Sequence, residues 1–239
     1  HYGRIHQNGA NYQEAMHYYL TAEKYALAAH KNYYLGLVYT RIGELYSEQM
    51  NFNGALEYYR NAYDAWKKLR NPAFMNNATL NIANTYSSLN DNDNAVKYYL
   101  QALQAARQQG DNDMVIACLS NLGDIYVSKG DYPKALQAVK EIERIVPDGL
   151  SIYQYRILIK VYYLQHKIDS ARYYFNIASE LAEDIRDDAQ LAYLSFQIEL
   201  ASGNSEEAAN SINEYIWLSD SISRMVVSQS AIAAEAKYY

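Results

Sequence analysis

Small and apolar residues return along this chain at a fixed step. Ala15, Ala55, Ala95 and Ala135 stand 40 residues apart, and so do Tyr19, Tyr59 and Tyr99, with Val139 in the fourth place. Ala22, Ala62 and Ala102 follow three residues on, and Ile142 closes that row. Upstream, the same step links Gly3, Gly43, Ala83 and Gly123, and also His6, Tyr46, Tyr86 and Tyr126. Self-similarity at such a period means stacked supersecondary units, each packed on its neighbours. Within one period, Leu35, Val38, Ile42, Leu45 and Tyr46 keep the spacing of one helix face, and Ala55, Tyr59, Ala62 and Trp66 that of a second. A break at Asn51 separates the two. Asn71-Pro72, Gly110-Asp111 and Lys129-Gly130-Asp131-Tyr132-Pro133 read as helix stops followed by caps.

Each unit is therefore predicted to be a pair of helices. The small residues have a steric role, because helices approach to about 8–10 Å only where the crossing carries little side chain. Tyr46, Tyr86 and Tyr126, with Tyr59 and Tyr99, fill the wedge beside it. The pattern weakens but persists beyond Pro147, with Tyr162, Ala171, Phe175 and Ala178 marking a fifth unit and Gly203 and Ala208 a sixth. The expected boundaries are 1–32, 33–71, 72–111, 112–149, 150–187 and 188–219, in one domain. A last helix over 220–239, carrying Ile222, Met225, Val226, Ile232, Ala233 and Ala236 on one side, is expected to cover the final apolar face.

Composition narrows the function. Only 3 Pro and 10 Gly among 239 residues favour long helices over a turn-rich β fold. The lone Cys118 excludes an internal disulfide and a cysteine-based metal cluster. A net charge of −6 without clustered Lys and Arg argues against direct nucleic-acid binding. No stretch approaches the roughly 20 apolar residues of a membrane span. The chain opens at His1 inside what reads as the first helix of a repeat, so it is taken as a fragment of a longer protein.

In the fourth unit Leu122-Gly123, Tyr126, Gly130, Tyr132, Ala135 and Pro147 resemble the tetratricopeptide repeat signature, and the match runs in register through about residues 1–216. The 40-residue step exceeds the usual 34 or so and resembles the subclass with longer helices, found in bacterial regulatory proteins and peptide-receptor adaptors. Departures are Asn92 for an aromatic, His6 for the Tyr, Val139 for the second-helix aromatic, and a closing Pro in one unit only. The resemblance implies an all-α tetratricopeptide superhelix, an α-solenoid of about six helix pairs plus a C-terminal capping helix. A second likeness is narrower. Leu218 to Ile222 through Glu235 to Tyr238 resembles the stretch after the repeats in bacterial membrane-anchored transcriptional regulators and histidine kinases. It implies a periplasmic or other extracytoplasmic sensor whose output module lies beyond Tyr239; a cytoplasmic location is the alternative.

In such a stack the first helices line the concave groove. On the face away from the packing stripe, Arg41, Asn81 and Asn121 occur at the 40-residue step, and so do Glu44, Asn84 and Asp124, with Ser88 further along. An Asn at a regular step can donate to and accept from one peptide unit of an extended ligand, which resembles the asparagine ladder of some peptide-binding tetratricopeptide proteins. Arg156 and Lys160, one turn apart, could hold an acidic ligand group. The plainer reading is that these residues solvate an exposed helix face. Tyr153, Tyr163 and Tyr193 are candidates to line the groove, and the pairs Tyr18-Tyr19, Tyr58-Tyr59 and Tyr98-Tyr99 are expected to place one ring inside and one outside. Asp91-Asn92-Asp93 and Asp111-Asn112-Asp113 lack the Gly and closing Glu of a calcium loop and read as turns and caps. The five His show no metal-ligand spacing. No phosphate loop or nucleophile elbow is present, so no cofactor and no catalytic residue is assigned. The reading is a non-catalytic protein- or peptide-binding module, the sensor or interaction region of a bacterial signalling or transcriptional regulator. A structural scaffold and an accessory domain of an enzyme are the alternatives.

Overall fold

The computed structural model describes residues 12–147 and 149–235, with side chains described through Met225. Among these residues there are eleven helices and no strand: α1 (Tyr12–Ala28), α2 (Asn32–Glu48), α3 (Phe52–Lys68), α4 (Pro72–Ser88), α5 (Asn92–Gln109), α6 (Asn112–Ser128), α7 (Tyr132–Ile145), α8 (Ile152–Leu164), α9 (Ile168–Glu180), α10 (Ile185–Ser202) and α11 (Ser205–Glu235). The chain is an all-α solenoid of helix pairs. Its described residues fall into two compact units, one reaching to Cys118 and the other running from Leu119 to Ile232. In the first, α1 packs on α2, α2 on α3, α3 on α4 and α4 on α5; in the second, α7 packs on α8, α8 on α9 and α10, and α9 on α10.

The repeating alanines build the core. Ala15, Ala55, Ala95, Ala135 and Ala171 are fully buried, as are Ala62, Ala102, Ile142 and Ala178. At Gly43 even a Cβ would fall 2.6 Å from the Tyr59 ring, and at Gly36 one would fall 2.4 Å from the Trp66 indole. Those two positions let an aromatic ring lie on the neighbouring backbone, so a larger residue there would overpack the crossing. The paired tyrosines divide as expected. Tyr19, Tyr59 and Tyr99 are buried, while Tyr18 is exposed and Tyr58 and Tyr98 are half-buried. Tyr58 stacks on Tyr46 at 5.6 Å and Tyr98 on Tyr86 at 5.4 Å, and Tyr162 and Tyr174 repeat the arrangement at 5.4 Å. Such ring pairs add about 0.5–1.5 kcal/mol beyond the area they bury.

One turn design serves most of the junctions. The amide N–H of Asn51 donates to the carbonyl of Tyr46, and Asn71, Asp91, Asp111 and Asp131 do the same to Trp66, Tyr86, Ala106 and Tyr126. Each of these five side chains then accepts from the backbone N–H three residues on, at 3.0–3.4 Å. One residue thus closes one helix and caps the next. The two acidic triplets are caps, as the sequence implied. Immediately before each cap lies a left-handed residue, and these recur every 20 positions at His30, Met50, Arg70, Asn90, Gly110 and Gly130. A side chain at positive φ costs on the order of 1 kcal/mol that Gly avoids. Met50 is 74% exposed and loses little packing on removal. Met50→Gly is therefore expected to raise stability by about 0.5–1 kcal/mol, read as a higher urea midpoint at unchanged slope.

Two boundaries differ from expectation. The sixth unit opens at Ile185 rather than 188, because Asp184 caps α10 by accepting from the N–H groups of Arg186 and Asp187. The last helix does not begin at residue 220. It is the continuation of α11, which runs unbroken for 31 residues from Ser205 because no Gly or Pro interrupts it. The repeat markers Gly3 and His6 lie outside the described residues, as does Ala236, and the side chains of Val226, Ile232 and Ala233 are likewise not described.

Candidate functional site

The groove candidates occupy the first helices of the pairs. In the first unit α2 carries Arg41 and Glu44, and α4 carries Asn81, Asn84 and Ser88. Most of these groups are engaged by the protein itself. Arg41 Nη1 donates to Glu44 Oε2 at 2.6 Å, an intrahelical pair. Asn84 Oδ1 accepts from the hydroxyl of the fully buried Tyr99 at 2.6 Å. That bond satisfies a phenol which would otherwise be stranded in the core, so Asn84 has a structural duty. Ser88 Oγ donates back to the Asn84 carbonyl at 3.1 Å. Asn81 is half-buried and, among the described residues, its amide makes no protein hydrogen bond. Of the upstream rungs it is the one whose donor and acceptor remain for a ligand.

In the second unit α6 carries Asn121 and Asp124, and α8 carries Arg156 and Lys160. Lys160 Nζ reaches across from α8 to Asp124 Oδ1 at 2.8 Å. This pair borders a cavity of about 550 Å³ lined by Val127, Tyr132, Tyr163, Leu164 and Lys129. Sequence reasoning placed Asp124 and Lys160 separately, but not the ion pair, and it missed Tyr132. The signal for the pair was their separation of 36 residues, about one repeat. Tyr163 lines this cavity, and burial together with the neighbouring Tyr193 and Tyr132 raises its pKa above the ordinary phenol value of 10.0. Tyr153 instead stands exposed with the Arg156 guanidinium over its ring at 5.6 Å, and Tyr193 packs on Tyr215 at 5.2 Å. Arg156 and Lys160, one turn apart on α8, therefore have separate neighbours within the chain.

Gln154 fixes the geometry of α8 against α6. It is 5% exposed, donates to Ser120 Oγ at 2.8 Å and closes a capping box with Ser151. Cys118 is fully buried, and burial pushes its thiol up to about 12, with Asp111 adding to the shift. Such a thiol is protonated at neutral pH and inert. Among the described residues no three His, Cys, Asp or Glu side chains converge as metal ligands. None of the described helices is long and apolar enough to cross a membrane.

The arrangement can be set beside known proteins. Residues 74–148 match the family model of the tetratricopeptide repeat. No curated protein matches in sequence. Solved structures do match in fold. RapI in its apo form superposes with a TM-score of 0.78 at 15% identity, over 88% of this chain and 79% of that one. Aspartyl phosphate phosphatase F from Bacillus subtilis gives 0.75 at 19%, over 95% and 60%. NprR in complex with its cognate peptide NprX gives 0.66 at 20%, over 87% and 62%. This chain thus spans less than two thirds of the length of the last two. It carries tetratricopeptide repeats at residues 74–148 and has the fold of a tetratricopeptide-repeat protein in its helix pairs.

Proposed function

We propose that the chain is a non-catalytic binding module for an extended peptide or protein segment, within the sensor or interaction region of a bacterial signalling or transcriptional regulator. The observation that carries the reading is the cavity on the first-helix face of the second unit, where the Asp124–Lys160 pair sits beside Tyr132, Tyr163 and Leu164. Its aromatic walls take an apolar side chain, and the half-exposed ion pair offers a donor and an acceptor to polar backbone, each bond contributing about 0.5–1.5 kcal/mol net. Asn121 is the proposed backbone-reading position of this unit, and Asn81 separately that of the first. The regulator assignment is supported by the likeness in fold to NprR, which is solved with a peptide bound.

The test is a display library of random linear peptides panned on the protein. Recovered peptides are expected to bind with micromolar Kd and to lose at least about tenfold in affinity on Tyr163→Ala combined with Lys160→Ala, and about as much on Asn81→Ala combined with Asn121→Ala. Peptides indifferent to both double variants would remove the groove from the reading. Uniform indifference with strong binding to other surfaces would favour a scaffold.

A further inference from the structure

A second cavity, of about 360 Å³, lies in the first unit among α3, α4 and α5, and none of the groove candidates is among its lining residues. Its origin can be read from the repeat. One period upstream, Tyr39 of α2 fills the corresponding place: its ring lies 6.0 Å from that of Tyr58, and its hydroxyl is hydrogen-bonded to Glu23 of α1. The 40-residue step carries Tyr58 to Tyr98, Glu23 to Tyr63 and Tyr39 to Thr79. The stacked partner is preserved, since Tyr98 lies on Tyr86 as Tyr58 lies on Tyr46. Thr79 and Tyr63 stand where Tyr39 and its partner Glu23 stand one repeat earlier, and the cavity is lined by both.

The walls of the opening are chemically directional. Thr79 and Ile82, both 3% exposed, form the floor. Thr79 Oγ1 already donates to the Met75 carbonyl at 2.9 Å, so it can only accept from a guest. The half-buried rings of Tyr63 and Tyr98 flank the space, and the exposed Arg60, Asp64 and Gln101 stand at the rim. Arg60 Nη2 donates to Tyr86 Oη at 2.6 Å, which holds the guanidinium in place with its other nitrogens uncommitted. Arg60 and Asp64 are one helical turn apart on α3 and form no ion pair with each other. An anionic and a cationic group side by side on a guest would meet opposite charges there.

We infer that this cavity is a binding site for a free aromatic α-amino acid, its ring taking the place that Tyr39 occupies one repeat earlier, its carboxylate on Arg60 and its ammonium on Asp64. The site is independent of the peptide groove, since it shares none of its residues. The same ring could also arrive as a side chain within a peptide, but such a ring lacks the zwitterion that the rim pairs.

The probe is para-fluoro-L-phenylalanine followed by fluorine NMR. Saturable line broadening with a submillimolar Kd is expected, together with binding weaker by about tenfold or more for the N-acetylated amide of the same compound. Arg60→Ala is expected to weaken the free amino acid by about tenfold without altering the thermal melt. Thr79→Tyr, which restores the missing ring, is expected to abolish binding; should it fail to fold, Arg60→Ala decides. The double variant Asn81→Ala with Asn121→Ala is expected to bind the probe as the wild type does, which separates this site from the groove. Absence of saturable binding, equal binding of the capped compound, or unchanged binding by Arg60→Ala would each overturn the assignment.

Discussion

Arg172→Ala is expected to cost the second unit about 2–3 kcal/mol at neutral pH, as a drop in urea midpoint and faster hydrogen exchange in α9 and α10. Glu199 of α10 is 8% exposed. Its two carboxylate oxygens take a forked contact from Arg172 of α9, at 2.6 and 2.7 Å, and Asn204 adds a third bond at 2.8 Å. Burial alone would raise this carboxyl, but the bonds from Asn204 and Arg172 outweigh it and hold the pKa below the ordinary 4.5. Removing the arginine leaves a buried carboxylate with one amide for company. The estimate sits at the low end for a broken buried pair because the arginine side chain is 42% exposed. Acid provides the second reading. Folding lowers this pKa, so near that value the folded chain holds fewer protons than the unfolded chain. The contribution is complete above pH 4.5 and is lost as pH falls through the lower folded value. The gap between wild type and variant should therefore close in acid. A gap independent of pH would place the stabilisation elsewhere.

Asn76→Leu is expected to stabilise the first unit by about 1–3 kcal/mol. Asn76 is 3% exposed in α4, and neither its Nδ2 nor its Oδ1 has a hydrogen-bond partner in the protein. Leu has the same branched shape and no polar atom to strand. The 40-residue step explains why a sizeable side chain sits there. It takes Trp66 to Ala106 and Gly36 to Asn76, so bulk lost from the second helix returns on the first. Asn76→Ala, which removes the volume too, should not share the gain. Calorimetric melts of the two variants against wild type give the answer, and a lower midpoint for Asn76→Leu would show that the amide is satisfied.

The alanine rows were legible because a helix crossing admits so few residue types that chemistry and position coincide. The turns were half legible. Asn51, Asn71, Asp91, Asp111 and Asp131 announce themselves as caps, whereas the left-handed residue before each is Met, Arg, Asn or Gly, and that geometry leaves no common letter. The 20-residue half-step was hidden for this reason. The candidate groove was legible as a set of positions and not as a set of free groups. That Asn84 serves Tyr99, or that Lys160 reaches Asp124, depends on side-chain length and direction across a packed pair, which periodicity does not encode. The second cavity is the converse case: its cause, Thr79 in a tyrosine's place, is plain in the sequence, yet only the packed rings around it show that nothing else fills the gap.

The doubly employed turn residue has a consequence for how such a chain can change length. With one residue ending one helix through its backbone N–H and opening the next through its side chain, a single deletion in any of these turns removes a bond from both. It also rotates everything downstream by about 100°, which carries the next alanine out of the core. The passage from α7 to α8 is different. There α7 is only 14 residues long, Val146 leaves the helix in an extended conformation, and Gly149 lies at φ 105°. Kindred chains that have gained or lost residues are expected to have done so between Val146 and Ser151, and to agree in count from Tyr12 to Ile145.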